Sequence, residues 1–282
     1  MTYKVMIDQL EAFVEQQHKS TFIVKYVVVE LSGYTQSELY MKLNEEVETS
    51  LNEQIKHVIE AYVLEDIPVD YILGYRYFYG HKIFVNEHVL IPRNETEELV
   101  EYILMYIDSQ KKPLNVLDLG TGSGCIGLTL KKEAPQLRVI LSDISLNALD
   151  IVNKNSINLG IGVTMKQSNW FSKIEGVYDI IVSNPPYIPD DEVVGDTVYK
   201  EPEVALYGGK SGLEHYETIL SQIKPFIHRQ TLIAFEHGYQ QKKALHKLIH
   251  HYLDDVHVIT RKDMQGRDRM TFILNKNQPF GF

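Results

Sequence analysis

Two short segments of this chain carry residue types whose spacing suits chemistry: Gly120 to Gly124, reading GTGSG, and Asn184 to Tyr187, reading NPPY. In the first, Gly120, Gly122 and Gly124 alternate with Thr121 and Ser123, between an apolar run (VLDL, 116–119) and a segment of helical periodicity. Glycines at such a strand-to-helix junction let the backbone turn sharply and approach a ligand, while exposed amides and the helix N-terminus favour its negative groups. Asp143 closes the next apolar run, 19 residues beyond Gly124. A carboxylate there can accept hydrogen bonds from both ribose hydroxyls of an adenosine cofactor. The loop is GxGxG rather than GxGxxG and no GK[ST] follows, so dinucleotides and nucleoside triphosphates lose ground to a nucleoside cofactor without a pyrophosphate. Taken singly, the glycines would be only a tight turn and Asp143 a helix cap; strand, helix and acid in register favour a ligand.

The NPPY segment follows the apolar run YDIIVS, which places it at the carboxyl edge of a sheet, the same edge as the glycine loop. Pro185 and Pro186 lack amide hydrogens, so the backbone offers stiff carbonyl acceptors with few competing donors. That suits an NH2 group. An amide or exocyclic amine is a poor nucleophile because its lone pair is delocalised, so it must be oriented, and positive charge stabilised, as it attacks a methyl group. The Asn184 side-chain oxygen and the Pro185 carbonyl can take the two hydrogens, binding more strongly as charge develops. The Tyr187 ring can stack on the planar acceptor and face a cationic centre. No histidine or carboxylate base is needed; proximity and electrostatics carry the rate. An isolated Asn-Pro-Pro is usually a turn. Its place on the fourth strand, behind a first strand ending in GTGSG, reverses that reading.

The elements that must position these segments follow from periodicity. Residues 1–74 read as helical: Val5, Leu10, Phe13 and Val14 mark one face, TQSE (35–38) is a capping box, and residues 47–65 repeat apolar positions at helical intervals before Pro68. FIVKYVVVEL suits helix or buried strand, and is assigned to helix. Residues 75–91 alternate aromatic and β-branched residues around Gly80 and Asn86, as in a β-hairpin linking two domains. A helix then starts near Asn94, with Asn94 as cap and Glu97 returning the bond; Glu95, Glu97 and Glu98 serve its positive first turn. From there to residue 282, strands at 116–119, 138–143, 163–168, 178–184 and 231–236 alternate with helices, and 256–261 with 269–275 form a closing antiparallel hairpin. The expected fold is α/β, a Rossmann-like parallel sheet with helices on both faces.

Bulk properties narrow the field. At 282 residues and 44% hydrophobic, the chain can build a small domain beside a medium one. No stretch approaches the roughly 20 uncharged apolar residues of a membrane span, and the N-terminus lacks a signal peptide's apolar run. A cytoplasmic protein is expected. The formal net charge is −10, with 13 acidic against 5 basic residues in positions 1–70, so phosphate backbones are repelled there and no direct nucleic-acid partner is expected. Cys125, the lone cysteine, reads as helix packing. His246 and His250 stand i, i+4, but no zincin-type Glu follows His246, and no metal site is assigned. Trp170, the lone tryptophan, lies just after the third strand, where a wall of the cofactor site is favoured over a core position.

These motifs, with YILGYRYFYGHKIFVNEHVLIPRNETEELVE, SDISLNALDIVNKN, QSNWF, EPEVALYGGKSGLEHY and GRDRM, resemble the class I methyltransferases and, within them, the release factor glutamine methyltransferases. The resemblance covers nearly the whole chain. NPPY alone is shared with adenine-N6 methyltransferases, so the other segments carry the family-level match. The resemblance implies an N-terminal helical substrate-recognition domain (1–74), a β-hairpin linker (75–91) and a seven-stranded methyltransferase domain (92–282). It implies methylation of N5 of the glutamine in the GGQ motif of peptide chain release factors, with S-adenosyl-L-methionine as donor. Cofactor contacts are then expected at Gly120, Thr121, Gly122, Ser123, Gly124, Asp143, Trp170 and Asn184, and glutamine contacts at Asn184, Pro185, Pro186 and Tyr187. The N-terminal domain would help receive the release factor, and the protein would act as a monomer. Two positions depart from the family pattern: Asn94 replaces the proline of IPRPET, and Asn169 the aspartate before Trp-Phe.

Two rival readings remain. One is the same chemistry on a ribosomal protein glutamine or on adenine N6 in nucleic acid; adenine requires base flipping and phosphate contacts that an acidic domain serves badly. The other is a silent cofactor-binding scaffold, against which intact Asn184 and Tyr187 argue.

Overall fold

The computed structural model describes residues 1–110, 112–195 and 197–276. The chain divides into two compact units, one holding Met1–Gly74 with Val194–Lys200 and the other holding the remainder. The last residues of the expected 92–282 segment, 277–282, lie outside the described residues.

The first unit is built on α1 (Tyr3–Gln16), α2 (Phe22–Ser32), α3 (Gln36–Met41), α4 (Thr49–Leu64) and α5 (Val69–Leu73). FIVKYVVVEL is helical: Val24, Val27 and Val28 of α2 pack into a core with Met6, Ile7 and Leu10 of α1 and with Ile55 and Ile59 of α4. Burial against neighbouring helices outweighs the weak helix preference of β-branched residues. On α1 the buried face is Tyr3, Met6, Ile7, Leu10 and Val14; Val5, expected there, is exposed. Thr35 and Glu38 form the expected capping box at α3. Gly74 ends α5 in the left-handed conformation at φ 79°, its amide donating to the Asp70 carbonyl.

The second unit opens with a hairpin, β1 (Tyr75–Phe78) and β2 (His81–Phe84), followed by α6 (Asn94–Asp108). The cap of α6 is Arg93, not Asn94, and no side chain caps it. Asn94 is the first helical residue and accepts instead from Arg76 Nη2 at 3.1 Å, while Glu97 accepts from the Tyr79 amide at 3.0 Å. Proline is favoured at a first helical position after an extended residue, and Arg93 is extended, so the backbone at 94 suits the proline that the resemblance implies there.

The α/β pattern then runs β3 (Asn115–Leu119), α7 (Cys125–Glu133), β4 (Arg138–Asp143), α8 (Leu146–Leu159), β5 (Thr164–Gln167) and β6 (Tyr178–Ser183). It continues through α9 (Glu203–Leu206), α10 (Glu214–Gln222), β7 (Ile227–Glu236), α11 (Lys242–Tyr252), β8 (Val256–Lys262) and β9 (Asp268–Asn275). The seven strands lie in the order β5-β4-β3-β6-β7-β9-β8, parallel except for β9, which runs antiparallel to both neighbours. β7 starts at Ile227, earlier than the apolar pattern of 231–236 suggests, because exposed His228 and Arg229 precede its buried half. Helices α10 and α11 pack Tyr216, Ile219, Leu245 and Ile249 onto one face against Leu117, Ile181, Ile233 and Phe235. Helix α6 packs on β7 and α7, and α8 on β4 and β5. With both faces covered, every residue of β6 is buried. Strand order reverses between β3 and β6, which opens a crevice at their carboxyl ends.

Candidate functional site

The glycine loop forms one wall of that crevice. Gly124 caps α7 at φ 82°, and a Cβ there would lie 2.8 Å from Leu128 Cδ1, so both backbone and space require glycine. Beneath the loop sits Asp118, wholly buried, whose Oδ2 accepts from Thr121 Oγ1 at 2.6 Å and from the Gly127 amide at 3.0 Å. Burial pushes this carboxyl up to about 7, against the pull of those two bonds. Asp143 accepts from the Gly122 amide at 2.9 Å and from the Ser145 amide at 2.9 Å. Burial raises its carboxyl as well, opposed by the amides of Ser145, Gly122 and Ile144. The expectation of exposed loop amides needs correction. Those of Thr121, Gly122 and Gly124 are committed to Ser142 O, Asp143 and Thr121 O, so they shape the loop rather than await an anion.

The NPPY segment forms the opposite wall. Ser183 donates to the Leu119 carbonyl at 2.6 Å, tying the ends of β6 and β3 together. Asn184 follows; its Nδ2 donates to Thr96 Oγ1 at 3.5 Å, and its buried Oδ1 has no partner among the described residues. Thr96 donates in turn to Glu236 Oε2 at 2.6 Å, with both side chains buried. Burial pushes the Glu236 carboxyl up to about 7, while Thr96, Arg269 and Asn184 pull it down. Sequence reading assigned no role to Thr96, Glu236 or Asp118; Thr96 lies inside an acidic helix start, and Glu236 read as a strand end.

A cleft of about 1030 Å³, counting its open mouth, lies between these walls. It is lined by Gly120, Thr121, Gly122, Ser123, Asp143, Trp170, Asn184 and Pro186 together, and also by Thr96 and Asn169. Gly124, Pro185 and Tyr187 are not part of that lining. Pro185 is buried, and the half-buried Tyr187 packs against the core beneath α10, with burial raising its hydroxyl above the ordinary tyrosine range. Trp170 adopts a positive φ of 47°, its carbonyl held by Ser168 Oγ at 2.7 Å and its ring set beside His215. Holding a tryptophan there costs about 1–3 kcal/mol.

The GGKSG stretch, quoted above only for family likeness, braces the NPPY backbone. A Cβ on Gly208 would lie 2.6 Å from the Pro186 carbonyl, and one on Gly212 2.2 Å from that of Tyr187. Gln241 Nε2 also donates to the Tyr187 carbonyl, at 2.8 Å. Asn155, fully buried on α8, binds the amide and carbonyl of Phe84 and the carbonyl of Ser123, joining the hairpin to the glycine loop. Buried Glu201 pairs with Arg93 and accepts from the Ile91 amide at 3.0 Å, fixing the strip before α6 that edges the cleft. His246 bonds to Thr260 Oγ1 at 2.7 Å, and among the described residues no group of three or more His, Cys, Asp or Glu is placed to hold a metal. No helix of the described residues is long and apolar enough to cross a membrane.

Residues 96–202 match the methyltransferase small domain family. A release factor glutamine methyltransferase of Enterococcus faecalis is 35% identical over 95% of this chain and 97% of its own length. One of Streptococcus pneumoniae is 38% identical over 89% and 90%. A crystal structure of a methyltransferase from Pyrococcus furiosus superposes with a TM-score of 0.52 at 15% identity, covering 81% of this chain and 99% of that one, which supports the fold. On its sequence, its seven-stranded sheet and these relatives, the chain belongs to the family of release factor glutamine methyltransferases.

Proposed function

We propose that this protein transfers a methyl group from S-adenosyl-L-methionine to N5 of the glutamine in the GGQ motif of peptide chain release factors. The observation that carries the reading is the buried, unpartnered Asn184 Oδ1, on the wall of the same cleft as Asp143 and the glycine loop. A buried acceptor left without a donor costs about 1–3 kcal/mol, which a ligand NH2 recovers. The lining fits the donor: a carboxylate at the end of the second parallel strand, close backbone at Gly120 and Gly122, and an indole wall at Trp170. S-adenosyl-L-methionine, when bound, supplies an electrophilic sulfonium methyl.

In this reading Asp143 accepts from the ribose hydroxyls, and Trp170 and Asn169 flank the adenine. Asn184 Oδ1 and the Pro185 carbonyl accept the two hydrogens of the glutamine amide and hold its nitrogen in line with the methyl. Both contacts strengthen as positive charge builds on nitrogen. Tyr187 backs the tetrad with its flat ring, and Pro186 stiffens the turn. The released proton needs no dedicated base, because an N-alkylated amide cation is strongly acidic. The helical unit, which exposes Phe22, Tyr40 and Met41, is the surface we assign to the protein substrate, and the protein is read as a cytoplasmic monomer.

The test is incubation of the protein with methyl-labelled cofactor and purified release factor, wild type beside a variant with alanine for the GGQ glutamine. Label on the wild type alone is the expected result. Equal labelling of both, or labelling of ribosomal protein or nucleic acid instead, would overturn the assigned acceptor.

A further inference from the structure

We propose that Thr96 and Glu236 are positioning residues which fix the polarity of the Asn184 side-chain amide, so that its oxygen and not its NH2 faces the cleft. The inference rests on the reading of Asn184 as the holder of the acceptor nitrogen, and deepens it. An asparagine amide has two faces of opposite character and nearly the same shape. Only one orientation offers an acceptor to a substrate NH2; the other sets donor against donor.

The choice is made by a chain of hydrogen bonds whose direction is set at its far end. Glu236 ends β7, is wholly buried, and in its carboxylate form can only accept. Thr96, on the first turn of α6, has one hydroxyl hydrogen, and at 2.6 Å from Glu236 Oε2 that hydrogen is committed to the carboxylate. What Thr96 Oγ1 presents to Asn184 is therefore a lone pair, and the Asn184 NH2 must face it. The Asn184 side chain in turn favours the charged form of Glu236. Thr96 Oγ1 thus holds Nδ2, and Oδ1 is left as the cleft-facing atom, buried and without a partner among the described residues. Glu236 is itself held. The hydroxyl of the buried Tyr216 donates to its backbone carbonyl at 2.6 Å, and the Arg269 guanidinium favours its charged form. Glu95 also faces this carboxyl and opposes its ionisation, and the charged Glu236 in turn raises the Tyr187 hydroxyl.

The test uses side-chain amide NMR together with steady-state kinetics on the full-length protein. In the wild type, the Asn184 NH2 signal, identified by its loss in Asn184→Ala, exchanges slowly with solvent. Thr96→Val keeps the shape and removes the acceptor. It is expected to speed that exchange by roughly tenfold or more and to lower kcat by about tenfold, with cofactor affinity held within about twofold. Thr96→Ser, which restores the hydroxyl, recovers most of both losses. Glu236→Gln is a second variant, needed if Thr96→Val does not fold; it turns one acceptor into a donor and is expected to disturb the same signal. A folded Thr96→Val or Glu236→Gln protein with unchanged Asn184 exchange overturns the proposal, as does one with unchanged kcat. If the wild type transfers no methyl to the release factor glutamine, the proposed function fails, and the exchange measurement still decides the amide's orientation.

Discussion

The two walls of the cleft are built on different plans. The glycine wall comes from one continuous stretch, Asp118 to Gly127, with Asp143 one strand further on, and it is held by backbone amides and by the absence of side chains. The acceptor wall is assembled from three distant places: Thr96, Asn184 88 residues later, and Glu236 140 residues from Thr96. Each wall stands on one fully buried carboxyl pushed up to about 7, Asp118 under the loop and Glu236 behind Asn184. The glycine wall therefore encodes a shape, and its weak points are steric. The acceptor wall encodes a polarity, and its weak points are single hydrogen bonds that cannot be reversed.

If that contrast is right, lesions in the two walls separate kinetically. Asn184→Ala has the largest expected effect: kcat falls by about 100- to 1,000-fold, the loss seen when a group acting on transition-state charge is removed, while calorimetry finds cofactor affinity changed by less than about threefold. Asp143→Ala does the reverse. Loss of charge-assisted bonds worth about 1.5–3 kcal/mol weakens cofactor binding by roughly 10- to 100-fold and leaves kcat at saturation nearly intact. Loss of kcat from the second variant with affinity preserved would erase the contrast.

Gly127→Ala probes the steric character of the glycine wall, since its Cβ would fall 2.2 Å from Leu141 Cδ2 and 3.0 Å from Asp118 Oδ2. Overpacking of this kind destabilises by about 1–3 kcal/mol, read as a lowered Tm. An unchanged Tm would show that the loop floor is looser than its geometry.

The two carboxyls can be told apart by pH. Each has a folded value near 7 against an unfolded value of 3.8 for Asp118 and 4.5 for Glu236, so the folded state keeps protons that the unfolded state has lost. Their contribution to stability is full below the unfolded values and is lost as pH rises towards about 7. Asp118→Asn and Glu236→Gln should each flatten part of that decline in a series of denaturant titrations. Only Glu236→Gln should also remove an acid limb near pH 7 from kcat, because only the ionised Glu236 directs the Thr96 hydroxyl away from Asn184. A kcat limb that survives this substitution belongs to another group. The smallest effect expected is that of Asn94→Pro, which exchanges the Arg76 bond for a proline suited to a first helical position and shifts stability by less than about 1 kcal/mol.

The same contrast explains what was legible in the sequence. The glycine wall could be read because its parts are neighbours: a strand, three glycines, a helix and an acid at the next strand end all fall within Asn115 to Asp143. The helical unit was legible for the same reason, down to the Thr35–Glu38 box, although Val5 shows that a spacing rule assigns a face only to within one residue. The acceptor wall was read only at Asn184 and the Pro185 to Tyr187 stretch that follows it. Thr96 is masked by the acidic residues around it, and Glu236 gives no periodic signal; their meeting depends on how α6 packs against β7, which no local pattern records. Gly208 and Gly212 were similarly silent, since what they accommodate is the backbone of residues 186 and 187.

The decisive measurement is a crystal structure of the protein with S-adenosylhomocysteine and a peptide carrying the GGQ glutamine. It should place the ribose on Asp143 and the glutamine nitrogen within hydrogen-bond reach of Asn184 Oδ1, in one cleft. A nucleoside and a glutamine seated in separate cavities, or an Asn184 turned to offer its NH2, would contradict the mechanism.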